Sequence, residues 1–141
     1  MNFRLRLLTD ADLPDVQRLY DARSDVFQRL TGAPAGPDQA IRDFLDALRF
    51  PNRFQFAVML DETLIGLADC QLDEETEGLA QIGMVLLSPE SDDSQVSGLV
   101  VRMLERWLAG EFGATRVETA VVAHAAADIA FWQGQGYHFT G

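Results

Sequence analysis

An α/β domain on one mixed sheet, in the order β-α-α-β-β-β-α-β-α-β, is the fold class this sequence predicts. Three observations carry it. The chain has 141 residues, 48% of them hydrophobic, which is one ordinary domain with enough apolar side chain to bury a core. Between Phe54 and Leu87 three strand-like runs follow one another, separated only by short polar segments. From Ile82 to Leu108 an apolar run ends at Pro89, crosses a polar loop and enters an amphipathic helix. Helical patterns before and after the meander make the class α/β rather than all-β.

The elements follow in order. Phe3 to Leu8 alternates apolar and basic residues, a short strand signal. Asp12-Leu13-Pro14-Asp15 reads as a helix start: Asp12 can cap, Pro14 falls in the first turn where no N–H partner is lost, and Asp15 favours the dipole. Leu13, Val16, Leu19 and Tyr20 recur at helical spacing, and Thr31 to Pro37 breaks the pattern. Asp38 can cap a second helix, in which Ile41, Phe44, Leu45 and Leu48 form one stripe. Phe54–Leu60, the turn Asp61-Glu62-Thr63 and Leu64–Leu72 make a hairpin, and Leu79–Leu87 a third strand after the acidic loop Asp73 to Gly78. Val96, Leu99, Val100, Met103, Leu104, Trp107 and Leu108 place a long helix, ended by Gly110 and Gly113. Arg116 to Val122 is a β-branched strand, a helix covers about residues 128–135, and Tyr137-His138-Phe139 is a last extended piece.

Charge and composition narrow the function classes. The formal net charge is -11. Nucleic-acid binding needs Lys and Arg to replace counterions on phosphates, so nucleic acid is excluded as a partner, and anionic membranes with it. Basic or amine partners are favoured, and the acidic loop can attract a cationic acceptor. No apolar run approaches the roughly 20 residues of a membrane span, and the N-terminus has no long apolar signal segment. The single cysteine, Cys70, fits a reducing cytoplasm, and no basic neighbour marks it as a nucleophile. The two histidines and one cysteine make no metal pattern.

Several motifs resemble the GNAT superfamily of N-acetyltransferases over essentially the whole chain, 1–141, as a single domain. Gln55–Leu60 with Leu64–Leu72 is similar to its central hairpin. Ala80-Gln81-Ile82-Gly83-Met84-Val85-Leu86-Leu87-Ser88-Pro89 resembles the strand that ends in Pro before its cofactor loop. Val121-Val122-Ala123-His124 and Ile129 to Tyr137 resemble its fifth strand and the helix that ends in Gly-Tyr. The resemblance implies a mostly antiparallel central sheet flanked by helices, with splayed central strands. It implies an N-acetyltransferase that moves an acyl group from acetyl-CoA to a primary amine by direct attack.

The same resemblance assigns site residues. Main chain of Val85, Leu86 and Leu87 would pair with the pantetheine arm. The family's loop pattern, Arg/Gln-x-x-Gly-x-Gly/Ala, falls ungapped on Asp92, Gln95 and Ser97, with Asp93 and Val96 between them. An Asp in place of a basic residue sets like charge against a diphosphate, about 3–4 kcal/mol per contact at roughly 4–6 Å before screening. A shifted register, Gln95-Val96-Ser97-Gly98, restores a Gln and a glycine but needs a longer loop. The catalytic candidates are His124, which ends the fifth strand and could relay a proton, and Glu118 and Gln81, which with Asp69 lie on the central strands and could line the acceptor side. Ala125 falls near an Asn often found after the fifth strand, and Trp132 takes the position of a Tyr acid in Phe131-Trp132. The family continues past Gly-Tyr with a further strand, so this chain is expected to lack that last strand and to form a homodimer that covers the open edge. The loop and acid departures equally support a second reading, a non-catalytic GNAT-fold binding module that has lost acetyl-CoA.

Overall fold

The computed structural model describes residues 2–121 and 125–140. Its sheet runs β1 (Phe3–Leu7), β2 (Arg53–Leu60), β3 (Thr63–Leu72), β4 (Leu79–Leu87) and β5 (Arg116–Thr119), and the spatial order equals the chain order. The first four strands pair antiparallel, and β5 joins β4 in parallel. Helices α1 (Leu13–Ala22), α2 (Ser24–Thr31) and α3 (Gln39–Ala47) precede β2, α4 (Ser94–Phe112) connects β4 to β5, and α5 (Ala126–Gly134) follows. The mixed, mostly antiparallel α/β architecture agrees with the expectation, and β4 begins and ends where the sequence places it.

Three element readings change. β5 ends at Thr119, so Ala120 and Val121 of the expected strand fall outside it, and Val122, the last residue expected there, lies outside the described residues. The first helical segment is two helices, because the chain turns at Arg23 (φ -115, ψ 39) before re-entering a helix at Ser24. Tyr137-His138-Phe139 forms no strand. Instead the Tyr137 N–H turns back to the Trp132 carbonyl at 3.0 Å, so this piece closes the end of α5.

Each sheet face carries a core. On one face, Phe56, Ala68, Ile82 and Leu87 pack against Val100, Val101, Leu104 and Leu108 of α4. Trp107 sits edge-on to Phe54, Phe56 and Phe112, with ring centroids 5.1, 4.7 and 5.2 Å away, so it is core as its spacing suggests. The α4 stripe is rotated from the sequence reading: Leu99 is 38% exposed and Val101 is fully buried. Gly110 lies inside the helix, and Gly113 ends it with φ 67, a conformation in which a side chain is strained.

On the other face, Val16, Leu19, Tyr20 and Val26 cover Leu67 and Leu86. Here α3 contradicts the stripe assigned to it. Ala40 and Ala47 are buried, whereas Ile41, Leu45 and Leu48 are more than half exposed. Small residues let α3 approach α1 closely, and polar bonds fix the contact: Gln17 accepts from the Ala40 N–H at 3.0 Å and Tyr20 donates to Asp43 at 3.0 Å.

The two expected Asp caps also differ. Neither Asp12 nor Asp38 caps a helix with its side chain. Asp38 pairs with Arg42 instead. Asp12 closes a capping box with Thr9 and accepts two hydrogen bonds from Arg6, both at 2.8 Å. The Arg6 hydrogen bonds, with the Thr9 N–H, hold the Asp12 carboxyl down at about 2, against an ordinary 3.8. A lowered folded pKa means stability that is present above the unfolded value and is lost as pH falls through the folded one. Asp12→Asn is therefore expected to flatten the acid limb of the stability curve between about pH 4 and 2. The loss is about 1–2 kcal/mol, less than the full linkage because Arg6 is partly solvated. Urea titrations at pH 7, 4 and 2.5 check this, and parallel wild-type and variant curves would contradict it.

Candidate functional site

The site begins where two strands part. β4 and β5 stay in register from Leu79↔Arg116 to Ile82↔Thr119. The Thr119 hydroxyl donates to the Ile82 carbonyl at 2.9 Å and closes the last rung. β4 then continues to Leu87 with no β5 partner among the described residues. A register shift on the β3 side falls at the same place, with Asp69 opposite Met84, Cys70 opposite Ile82 and Gly83 as the extra residue. Such a bulge bends its strand and raises its twist, which turns β4 away from β5.

Main-chain direction follows from the pairing. The Ser88 N–H donates to the Ile65 carbonyl at 2.7 Å, so Ser88 faces β3. Alternation then directs the N–H and C=O of Val85 and Leu87 away from β3 and into the opening. The Leu87 carbonyl accepts from Arg23 at 2.9 Å. The Val85 N–H and C=O and the Leu87 N–H have no protein partner among the described residues, and an extended amide-bearing ligand can satisfy them. Leu86 turns its peptide groups to β3 and buries its side chain beneath α1 and α2.

At the mouth, Ser88 leads into a 3-10 turn, Pro89–Ser91, and α4 begins at Ser94. Asp93 is the helix cap: its carboxylate accepts from the Val96 N–H at 2.9 Å. The Ser94 and Gln95 N–H groups have no protein partner among the described residues, so they and the helix dipole can meet an anion. Asp92 does not face the opening as a bare charge. Arg23 donates to its carboxylate at 2.8 Å. Gln95, Val96, Ser97 and Gly98, which carry the two registers past Asp92, all lie within the first turns of α4. Gly98 is turned from the loop toward Gln135, whose Oε1 would be 3.0 Å from an added Cβ.

Below the vertex the catalytic candidates meet in part. Gln81 and Glu118 are paired positions on one face. Gln81 donates to Asp73 at 3.1 Å, and its Oε1 is buried without a hydrogen-bond partner among the described residues. Glu118 accepts from Arg116 at 3.3 Å. Asp69 is 7% exposed and holds Arg53 by contacts of 2.6 to 3.2 Å. It lies at the vertex itself: a Cβ added to Gly83 would be 3.7 Å from both Asp69 O and Oδ1. His124 lies outside the described residues. Ala125 is the first residue before α5, and Trp132 packs edge-on to Phe131 and Tyr137 at 5.3 and 4.9 Å. The Tyr137 hydroxyl donates to Glu105 at 2.7 Å, and burial with that carboxylate pushes its pKa up. Cys70 is fully buried, and burial followed by Asp69 pushes its thiol up to about 12, so it is no nucleophile.

Sequence reasoning missed Arg23 and Gly83. Ser24-Asp25, a helix-start pair directly after Arg23, marked the break that exposes the former. Gly83 inside an apolar strand is the ordinary sign of a bulge.

Comparison with known proteins agrees with this geometry. The model of the acetyltransferase (GNAT) family matches residues 16–137. The structure is similar to that of an acetyltransferase from Thermus thermophilus, at 25% identity and TM-score 0.82 over 99% of this chain and 89% of that one. It is also similar to aminoglycoside acetyltransferase AAC(6')-Ib in complex with coenzyme A, at 21% identity and TM-score 0.82 over 99% of this chain and 86% of that one. Aminoglycoside N-acetyltransferase AAC(6')-Iy in complex with CoA gives 16%, 0.75, 99% and 90% respectively. The last two likenesses concern the fold alone. No curated protein matches in sequence. With a family model over most of its length and the parted β4 and β5 strands, the chain belongs to the acetyltransferase (GNAT) family.

Proposed function

We propose that this chain transfers an acyl group from acetyl-CoA to a primary amine by direct attack in a ternary complex. The observation that carries the reading is the opening itself. Val85 and Leu87 turn their peptide groups into it, the first N–H groups of α4 lie at its mouth, and Gly83 leaves its vertex uncovered.

Bound acetyl-CoA supplies an activated thioester carbonyl. The amine nitrogen forms a bond to that carbon, the C–S bond breaks, and the nitrogen loses a proton while the departing sulfur gains one. The chain's own residues favour a cationic amine on the Asp69 side. Asp69, Asp73 and Glu118 lie along that face, and the net charge of -11 draws cations to it. Asp69 is locked to Arg53, so it suits electrostatic positioning of the ammonium better than proton removal. The Trp132 indole N–H is a donor but far too weak an acid to protonate a thiolate, which leaves that proton to water. Asp92 and Asp93 have partners of their own, Arg23 and the Val96 N–H, and this weakens the case for a binding module that has lost acetyl-CoA.

Isothermal titration with acetyl-CoA and coenzyme A tests the reading, followed by thiol release with a panel of mono- and polyamines. Binding in the micromolar to sub-millimolar range typical of KM values and amine-dependent thiol release are expected. No binding to about 1 mM, the upper end of that range, would exclude it. A second copy pairing along the outer edge of β5 belongs to the same proposal. A monomer mass at all concentrations in sedimentation would remove that part.

A further inference from the structure

Arg23 sits in the turn between α1 and α2, and 9% of it is exposed. It is 69 residues from Asp92 in sequence, yet its guanidinium reaches the mouth of the opening. Nη1 donates to the Leu87 carbonyl at 2.9 Å and to Asp92 Oδ2 at 2.8 Å. Nε and Nη2 face the Asp25 carboxylate at 3.2 and 3.3 Å. The Leu87 carbonyl is one of the groups that point into the opening, so a buried cation stands beside the N-terminus of α4.

The two partners differ in freedom. The Asp92 side chain is 46% exposed, whereas that of Arg23 is 11% exposed. Asp92 can turn into water at little cost. Arg23 is held by Leu87 and Asp25 and cannot follow. With Asp92 turned away, Asp25 still faces Nε and Nη2, but an Nη1 N–H of a buried guanidinium loses its acceptor, and a phosphate oxygen fits that donor as well as a carboxylate does.

We propose that Arg23 is the diphosphate-binding cation of this chain. From the α1–α2 turn it replaces the basic residue that the loop before α4 lacks, and the Asp92 carboxylate occupies it until a diphosphate takes its place. The proposal rests on acetyl-CoA being the acyl donor. It explains why Asp92 is tolerated where an anion must bind: the carboxylate is exchanged and not opposed.

The test is calorimetric binding of two ligands, acetyl-CoA and S-acetylpantetheine, which shares the thioester arm and has no phosphate. Asp92→Asn removes the competing carboxylate and is expected to tighten acetyl-CoA about tenfold. In that background Arg23→Gln is expected to weaken acetyl-CoA on the order of 10- to 100-fold and S-acetylpantetheine, which meets only the Leu87 carbonyl that Arg23 holds, by far less. Arg23→Lys keeps charge without the fork and should fall between. If Arg23→Gln does not fold, the Arg23→Lys result decides by the same ligand contrast. Equal loss of both ligands assigns Arg23 a purely structural role and overturns the proposal, as does unchanged acetyl-CoA affinity. Wild type and Asp92→Asn that bind neither ligand at millimolar concentration would remove the acyl-transfer reading together with it. Binding that ignores Arg23 would remove this proposal alone.

Discussion

Gly66→Ala is expected to cost about 3 kcal/mol of stability, the upper part of the range for overpacking a rigid site. Gly66 stands opposite Leu87 in the β3–β4 pairing. A Cβ there would lie 2.6 Å from the Leu86 carbonyl oxygen and 2.7 Å from Leu87 Cδ2. The first neighbour is main chain, and alternation along this pair directs it into the ladder with Leu67, so no side-chain rotation relieves the contact. Either the end of β4 moves or the pair opens. Leu87 closes the mouth, so the same change also displaces the carbonyl that holds Arg23. Urea unfolding measures the effect. A midpoint equal to wild type would show that β3 and β4 are more loosely paired here than the structure has them. Gly83→Ala is the control: its Cβ meets nothing closer than 3.7 Å, and it should be nearly silent.

Gly83→Phe is expected to separate folding from function in the opposite way. The position is exposed, its φ is not positive, and a Cβ makes only ordinary contacts. Thermal stability should stay close to wild type. The added ring would stand at the vertex of the parted strands, against Asp69, where the proposed reaction brings amine and thioester carbon together. Displacing two reactants by about 1 Å can cost about 100-fold in rate, and a phenyl ring displaces them further, so kcat/KM should fall by at least about that factor. The loss should appear in amine-dependent thiol release with little change in acetyl-CoA affinity at the mouth. Full activity in a folded Gly83→Phe protein would move the reaction away from this vertex.

Local pattern carried much of the fold. β4 is an apolar run that stops at Pro89, α4 has an unbroken apolar stripe, and the hairpin turn at Asp61 lies between two apolar runs. These are interactions within a few residues, and periodicity reports them. What stayed hidden depends on partners distant in sequence. The stripe of Ile41, Leu45 and Leu48 looks like a core face, but α3 buries Ala40 and Ala47 instead, with Ala40 in the cluster that α1 forms. Asp12 looks like a cap and is held by Arg6. Asp92 reads as an uncompensated charge because nothing near it in sequence is basic, and its partner arrives from the α1–α2 turn. The site shows the same division. The strand and the loop before α4 could be placed from sequence. The bulge at Gly83, the approach of Asp69 to the vertex and that of Arg23 to the mouth required the sheet register and the turn at Arg23.

The short β4–β5 pairing has an energetic consequence. β2 and β3 pair from Arg53 to Leu60, whereas among the described residues β5 is joined to β4 only from Leu79 to Ile82, and Arg116 to Thr119 are none of them fully buried. Opening β5 breaks few ladder bonds and uncovers little apolar surface, so it should be a sub-global event with a free energy well below that of complete unfolding. Native-state amide exchange would then run fastest, within the sheet, along β5, while Ala57 and Leu67 wait for the whole molecule. The wall of the cleft proposed to admit acetyl-CoA is thus also the part of the sheet expected to yield first.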